Sequence, residues 1–316
     1  MRGQVHFAIP LLIILTILTA VDQTLQGQVP LQEQKNVPST PNSSTAHPVS
    51  PASPAIAVQQ AWTEHLRRST VSFGTIITAG GVPTFKAIGT GVLVAHAIPG
   101  GYKVGIATAR HVFDDPDLVW RPRELHVRFA AEEGRTFVQD LGYPITLLAS
   151  DGTSLWLAIN GSDVAVIGLT PEFEKQLPSG LLTDGIGDQD FATADDLFEG
   201  EAVLLFGFPG NTQVLMGPNV LVRAVTRAGV VAWTNPQAPL ENVFMLDANV
   251  LPGNSGGPIF EVPTGLDKYG NFHVGGKAAF LGIVTSTLTD HEVVGVGGLG
   301  RAEPASIVEK ILLALP

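Results

Sequence analysis

The chain has 316 residues, 45% of them hydrophobic and only 15% charged, well below the ~25% charge of an average soluble domain. A formal net charge of −11 argues against a nucleic-acid partner, which needs a basic face, and the absence of cysteine excludes disulfides, a thiolate metal site and a cysteine nucleophile. With 35 glycines and 23 prolines the composition suits an all-β protein of many turns better than a helical one.

Arg2 precedes an uncharged apolar run of 15 residues, Phe7–Val21. This matches the hydrophobic region of a secretory signal, with Leu18-Thr19-Ala20 as an imperfect cleavage site. It falls short of the ~20 residues that normally span a bilayer. Residues 1–21 are therefore expected to be a signal peptide, giving an exported protein, periplasmic or secreted. The alternative is an uncleaved anchor that tethers the chain to the membrane through residues 7–21. Residues 22–55 are rich in Gln, Pro, Ser, Thr and Asn and lack apolar periodicity, so a disordered linker is expected there.

From residue 56 the pattern changes. Ala57–Arg67 is expected as a short helix. Short apolar or alternating runs follow at Val71–Thr78, Gly91–Ala95, Tyr102–Ala109, Leu125–Phe129, Ser154–Ile159 and Asp163–Leu169. A second set comprises Ala202–Phe208, Val220–Trp233, Val243–Leu246, Pro258–Val262, Ala279–Thr285 and Val293–Val296. Regular short strands punctuated by Gly, Pro, Asp and Asn imply a barrel or sandwich. The acidic stretch 171–201 reads as a connection between two β-units. Pro304–Leu315 has apolar residues at helical spacing, with Ser306 available as a cap.

Three segments carry chemistry. In Gly253-Asn254-Ser255-Gly256-Gly257-Pro258, glycines flank a serine that needs close approach of substrate and unusual backbone angles. Such a turn directs the N–H groups of Gly253 and Ser255 into one pocket, where they stabilise an oxyanion. The same residues fit the G-x-S-x-G elbow of α/β-hydrolases. That elbow needs a helix after the serine, whereas Pro258–Val262 reads as a strand. In Thr108-Ala109-Arg110-His111-Val112-Phe113, His111 ends an apolar strand and is the best-placed base among His6, His47, His65, His96, His111, His126, His273 and His291. In Ser162-Asp163-Val164-Ala165, an acid opens an apolar strand, and a buried carboxylate there needs a partner such as an imidazole N–H. Asp151, Asp184 and Asp188 are weaker rivals in turn-like surroundings.

The order His111, Asp163, Ser255 and the motifs TARHV, SDVAVI and PGNSGGPI resemble the trypsin-like serine peptidases, and most of all the disulfide-free bacterial HtrA/Deg branch. Gly89-Thr90-Gly91, Phe206-Gly207-Phe208-Pro209-Gly210 and Gly282-Ile283-Val284 fit the same branch. The resemblance covers residues 65–312. It implies an all-β fold of two six-stranded antiparallel barrels, barrel 1 at about 65–170 and barrel 2 at about 202–303, with a C-terminal helix at 304–315. The site would lie in the cleft between the barrels. Three departures stand out: no PDZ-like domain is expected after the peptidase domain, the loops between triad members look longer, and Leu251 stands where the branch often has Asn.

The resemblance implies a serine endopeptidase, a hydrolase of polypeptides, working through an acyl-enzyme with His111, Asp163 and Ser255 as catalytic triad. No metal or organic cofactor is expected, and the oligomeric state is open. An esterase with the same triad and a silent binding protein on the same fold are the alternatives. The substrate pocket implied by the resemblance is walled by Asn249, Val250 and Leu251 on one side and Thr285, Ser286 and Thr287 on the other. With uncharged Asn249 near its base and Asp247 two residues too early, cleavage after small or medium uncharged residues is expected.

Overall fold

The computed structural model describes residues 54–129, 141–177, 185–210, 223–241, 243–262, 264–266, 272–274, 278–287 and 299–316. All of these fall in the compact unit Ala52–Pro316. The expected export segment, the linker up to residue 53 and the expected strand Val293–Val296 lie outside the described residues.

The first half of this unit is one antiparallel sheet. Its strands are β1 (Thr70–Ala79), β2 (Val82–Ile98), β3 (Gly101–Ala109), β4 (Glu124–Arg128), β5 (Tyr143–Thr146), β6 (Trp156–Ala158) and β7 (Val164–Gly168). They are ordered β5-β4-β1-β2-β3-β7-β6. A Gly80-Gly81 turn with φ of 59° and 81° joins β1 to β2, the left-handed conformation that tight hairpins require. Beyond β5 the chain bridges Leu148 to Ser154, and the Leu155 N–H donates to Leu147 O at 2.9 Å before β6. The two edge strands are thus linked through a hairpin, and the sheet curls around Val71, Phe73, Leu93, Ile106, Val127, Ile167 and Phe113. Phe73 and Phe113 meet edge to face, with centroids 5.0 Å apart. In place of the expected six-stranded barrel, the described residues form a curled sheet of seven strands that range from 3 to 17 residues.

The second half is a closed barrel of β8 (Ala202–Gly207), β9 (Val225–Trp233), β10 (Phe244–Asp247), β11 (Pro258–Glu261), β14 (Phe280–Thr287) and β15 (Gly300–Pro304). A small hairpin, β12 (Thr264–Leu266) with β13 (Phe272–Val274), follows β11. Leu205, Val231, Leu246, Ile259, Leu281 and Ala302 fill the barrel.

Four helices complete the described fold: α1 (Pro54–Ser69), α2 (Arg110–Phe113), α3 (Pro171–Glu174) and α4 (Ala305–Ala314). A third apolar cluster joins the two β-units. It combines Val92, Val94, Val164 and Val166 of the first sheet, Phe206, Phe260 and Ile283 of the second, and Val308, Ile311 and Leu312 of α4. Lys103 of β3 reaches the C-terminal end of α4, where its Nζ donates to Leu313 O at 2.7 Å and to Leu315 O. The cation there complements the helix dipole. The connection 171–201 is pinned as well, with Ile186 bridging to Val94 and Phe191 to Phe280.

Three details differ from expectation. Ser306 is not the cap of α4: extended Pro304 holds that position, and the Ser306 hydroxyl, already inside the helix, donates to Leu240 O. Strands β5 and β15 escaped the sequence reading because Pro144 in one and charged Arg301 and Glu303 in the other break the apolar alternation.

Candidate active site

Strand pairing brings the first two residues together. β3 and β7 run antiparallel with Ala109 opposite Val164. The residues just past the end of one and just before the start of the other must therefore be neighbours. Arg110 N–H donates to Asp163 O at 2.7 Å, and the His111 N–H donates to Asp163 Oδ1 at 3.1 Å. The His111 Nδ1 lies 2.8 Å from Asp163 Oδ2. A carboxylate can only accept, so Nδ1 carries the proton and Nε2 presents a lone pair. Burial acting alone would lower the His111 pKa. The hydrogen bond and charge of Asp163, together with the charge of Asp115, outweigh it and hold the imidazole above its ordinary 6.5.

Behind Asp163 stands a residue the sequence reading missed. Glu303 of β15 is 5% exposed in its side chain. It accepts the Asp163 N–H at 2.8 Å on Oε1 and the Ser162 hydroxyl on Oε2.

Ser255 sits in the turn before β11. Gly253 and Gly256 adopt φ of 95° and 83°, values that side-chain-bearing residues rarely reach. The turn is pressed against the strands leading to His111. A Cβ on Gly256 would lie 2.0 Å from Thr90 O, 2.2 Å from Thr108 Oγ1 and 2.9 Å from Ala109 N. Thr90, fully buried, ties the turn down: its N–H donates to Ser255 O at 2.8 Å and its hydroxyl to Gly253 O at 2.7 Å. The Pro252 carbonyl accepts from Gly210 N–H at 3.1 Å and the Asn254 carbonyl from Gly257 N–H at 2.7 Å. Those carbonyls belong to the peptides whose N–H groups are Gly253 and Ser255. Among the described residues, neither of these two N–H groups donates to another group.

The remaining expected residues are placed as follows. Asn249 is exposed and Leu251 is 37% exposed. A Cβ on Gly300 would lie 2.7 Å from Val250 Cγ2, so the valine packs on the start of β15. Ser286 and Thr287, half-buried, pair with Arg301 and Gly300. Thr285 is fully buried with its hydroxyl toward Arg301 O at 3.4 Å, so its side chain offers no surface to a ligand. Of the rival acids, Asp151 binds Thr153 N–H in an exposed turn, Asp188 lies in a single helical turn, and Asp184 is outside the described residues. His96 Nδ1 lies 3.5 Å from Glu309 and His126 Nδ1 lies 3.0 Å from Leu141 O, each away from Asp163.

No curated relative matches the sequence. Among solved structures, the serine endoprotease from Yersinia pestis is similar at 18% identity over 84% of this chain and 67% of that one, with a TM-score of 0.46. Rv3671c from M. tuberculosis H37Rv, an inactive mutant form, is similar at 16% identity over 85% of this chain and 96% of that one, with a TM-score of 0.42. The family model described as a trypsin-like peptidase domain matches residues 89–266, more than half of the chain, and the protein belongs to that family of trypsin-like peptidases.

Proposed function

We propose that the protein hydrolyses peptide bonds through an acyl-enzyme in which Ser255 is the nucleophile, His111 the general base and then general acid, and Asp163 the residue that orients His111. The observation that carries this reading is the 2.8 Å contact between His111 Nδ1 and Asp163 Oδ2, made by residues that adjacent strand ends bring together. With Nδ1 engaged, Nε2 is free to take the Ser255 proton as the hydroxyl attacks the substrate carbonyl. The imidazolium so formed is stabilised by Asp163 and returns its proton to the departing amine. Water then repeats the sequence on the acyl-enzyme.

The oxyanion that forms in each half is assigned to the N–H groups of Gly253 and Ser255. Support for this comes from the anchoring of the preceding carbonyls by Gly210 and Gly257, which leaves both N–H groups unspent. A single donor of this kind is worth about 3–4 kcal/mol in the transition state. The test is covalent labelling with a peptidyl phosphonate, mapped by mass spectrometry and repeated on Ser255→Ala. Modification of Ser255, with activity lost by ~10⁴-fold or more in the variant, is expected; near wild-type turnover by Ser255→Ala sinks the assignment.

The substrates are polypeptides. The site of action is proposed to be outside the cytoplasm, on the strength of the apolar run Phe7–Val21 and the polar tract that follows. Recovery of the protein in the cytosol with Met1 intact contradicts this, and recovery in the membrane with the N-terminus retained selects the tethered form.

A further inference from the structure

A carboxylate is an unexpected side chain in the seam between the two β-units. On β15, Ala302 points into the second barrel's core, so the strand's period of two turns Glu303 to the opposite face. Its neighbours there are the Ser162 and Asp163 end of the first sheet. Burying a carboxylate is costly unless donors surround it. Here one oxygen accepts the Asp163 N–H at 2.8 Å and the other accepts the Ser162 hydroxyl. The Ser162 oxygen in turn accepts from Val164 N–H at 3.0 Å. Arg301 Nη2, at 3.7 Å from Oε1, is close enough to contribute charge without a direct bond. Beside the bonds that Arg110 and His111 make to Asp163 from within the first sheet, two consecutive residues of the turn that presents Asp163 are therefore gripped by one side chain from the other β-unit.

We propose that Glu303 is a positioning residue for catalysis: by gripping Ser162 and Asp163 from the second barrel, it fixes the carboxylate that orients His111 relative to the barrel that carries Ser255. The proposal rests on the assignment of His111, Asp163 and Ser255 given above. A simple apolar contact would hold the barrels together equally well. Only a bidentate acceptor also sets the rotation of the Asp163 peptide, and with it the angle at which Oδ1 and Oδ2 meet His111. Among the described residues, Asp115, after α2, adds its charge to that of Asp163 on His111, while Glu303 stands behind Asp163 with Arg301 at 3.7 Å from Glu303.

The experiment compares Glu303→Gln and Ser162→Ala with wild type, with Ser255→Ala and Asp163→Asn run in parallel. Thermal unfolding, kcat, KM, the pH profile of kcat/KM and the low-field proton resonance of His111 Nδ1–H are measured. In Glu303→Gln, kcat is expected to fall about 10- to 100-fold with KM little changed, as for a misplacement of catalytic groups by a fraction of an ångström. The acid limb of kcat/KM should move to lower pH and the His111 resonance should shift, because a negative charge and an orienting bond are lost together. Ser162→Ala, which keeps the carboxylate and strips one donor, should lower kcat and shift the His111 resonance by less, without moving the acid limb to lower pH. A folded Glu303→Gln with wild-type kcat, pH profile and resonance overturns the proposal. If that variant does not fold, a wild-type kcat and His111 resonance in Ser162→Ala overturn it instead. Retained activity in Ser255→Ala or Asp163→Asn would overturn the underlying assignment, a result separable from silence at Glu303 alone.

Discussion

The backbone N–H of Thr90 donates to the carbonyl oxygen of Ser255 at 2.8 Å, so a strand of the first sheet and the nucleophile turn of the second barrel share a direct bond. The Thr90 hydroxyl doubles the link by donating to Gly253 O at 2.7 Å while accepting the Phe208 N–H at 2.9 Å. Its carbonyl accepts from the Thr108 hydroxyl at 2.6 Å, three residues before His111. One buried residue thus ties the turn of Ser255 to the strand of His111.

Thr90→Val keeps the shape and removes the hydroxyl. It leaves the half-buried Gly253 carbonyl and the buried Phe208 N–H without that partner, the unmet N–H costing about 1–3 kcal/mol and the carbonyl less. The variant is expected to unfold at lower temperature. It should also react more slowly with a phosphonate probe, because the Gly253 peptide loses its anchor. A wild-type labelling rate at matched temperature would show that the turn holds its shape without Thr90.

Gly256→Ala should be more severe. The added Cβ meets backbone and hydroxyl oxygens at 2.0 and 2.2 Å, at a φ of 83° that alanine resists. Neither neighbour is the end of a flexible side chain, so relief requires the nucleophile turn to leave the His111 strand. The expectation is a folded second barrel with labelling of Ser255 abolished, or no stable fold at all; circular dichroism beside phosphonate labelling distinguishes the two. An active, stable Gly256→Ala protein would show that this close approach is dispensable.

The triad candidates were legible in the sequence because each carries its own local signal. Ser255 lies in a glycine-rich turn, His111 at a strand end and Asp163 at a strand start. The strands around them were legible for the same reason: the second half of β3, Gly105–Ala109, and β7 are runs of small or apolar residues buried on both faces. Glu303 was not, and Thr90 was legible only as part of Gly89-Thr90-Gly91, with no role of its own. Glu303 sits in a strand of mixed character whose role depends on a partner 140 residues away, and a threonine between two glycines does not report which turn its hydroxyl will tie down. Long-range pairing assigns their roles, and no local pattern reports it. Ser306 illustrates the converse. A serine near a helix start has the right type for a cap, but the chain leaves β15 through Pro304 two residues earlier, and the hydroxyl bonds Leu240 instead.

Among the described residues, Glu201 and His111 are the groups with raised pKa values, and they set the dependence on pH in the neutral range. Burial, the charge of Glu261 and the charge of Asp196 raise Glu201 from 4.5 to about 7 against the opposing N–H of Ala202, and His111 lies above 6.5 through Asp163 and Asp115. In both cases the folded state binds the proton more tightly than the unfolded one. Their stabilising contributions are therefore complete below 4.5 for Glu201 and below 6.5 for His111, and are lost as pH rises through the folded values. For Glu201 the full effect is on the order of 3 kcal/mol at most. Thermal unfolding midpoints are expected to fall between pH 5 and about 8, and Glu201→Gln should flatten that slope by gaining stability at the alkaline end. An equal slope in the variant would place the effect elsewhere. Activity should follow the opposite trend, since the acid limb of kcat/KM reports deprotonation of His111 and should lie above its ordinary pKa.

Specificity follows from what fills the space beside the nucleophile turn. On the proposed assignment, the pocket for the residue before the scissile bond is expected between 249–251 and 286–287, with Thr285 buried behind it. Val250 rests on Gly300, which pairs with Thr287, so a branched side chain occupies the ground between the two walls. Asn249 is uncharged, and Asp247 lies on β10 opposite Val230, exposed and two residues removed. A lysine or arginine entering this space would lose its hydration with no carboxylate to replace it. Cleavage is therefore expected after Val, Ala or Thr, with soft discrimination, because one methylene in an apolar pocket changes the rate only ~10–200-fold. Val250→Gly should deepen the pocket and shift preference toward Leu and Phe while leaving kcat on small residues largely intact. A peptide-library profile dominated by Arg or Lys would overturn this assignment and identify Asp247 as the pocket's base; an unchanged profile in Val250→Gly would move the pocket away from Gly300.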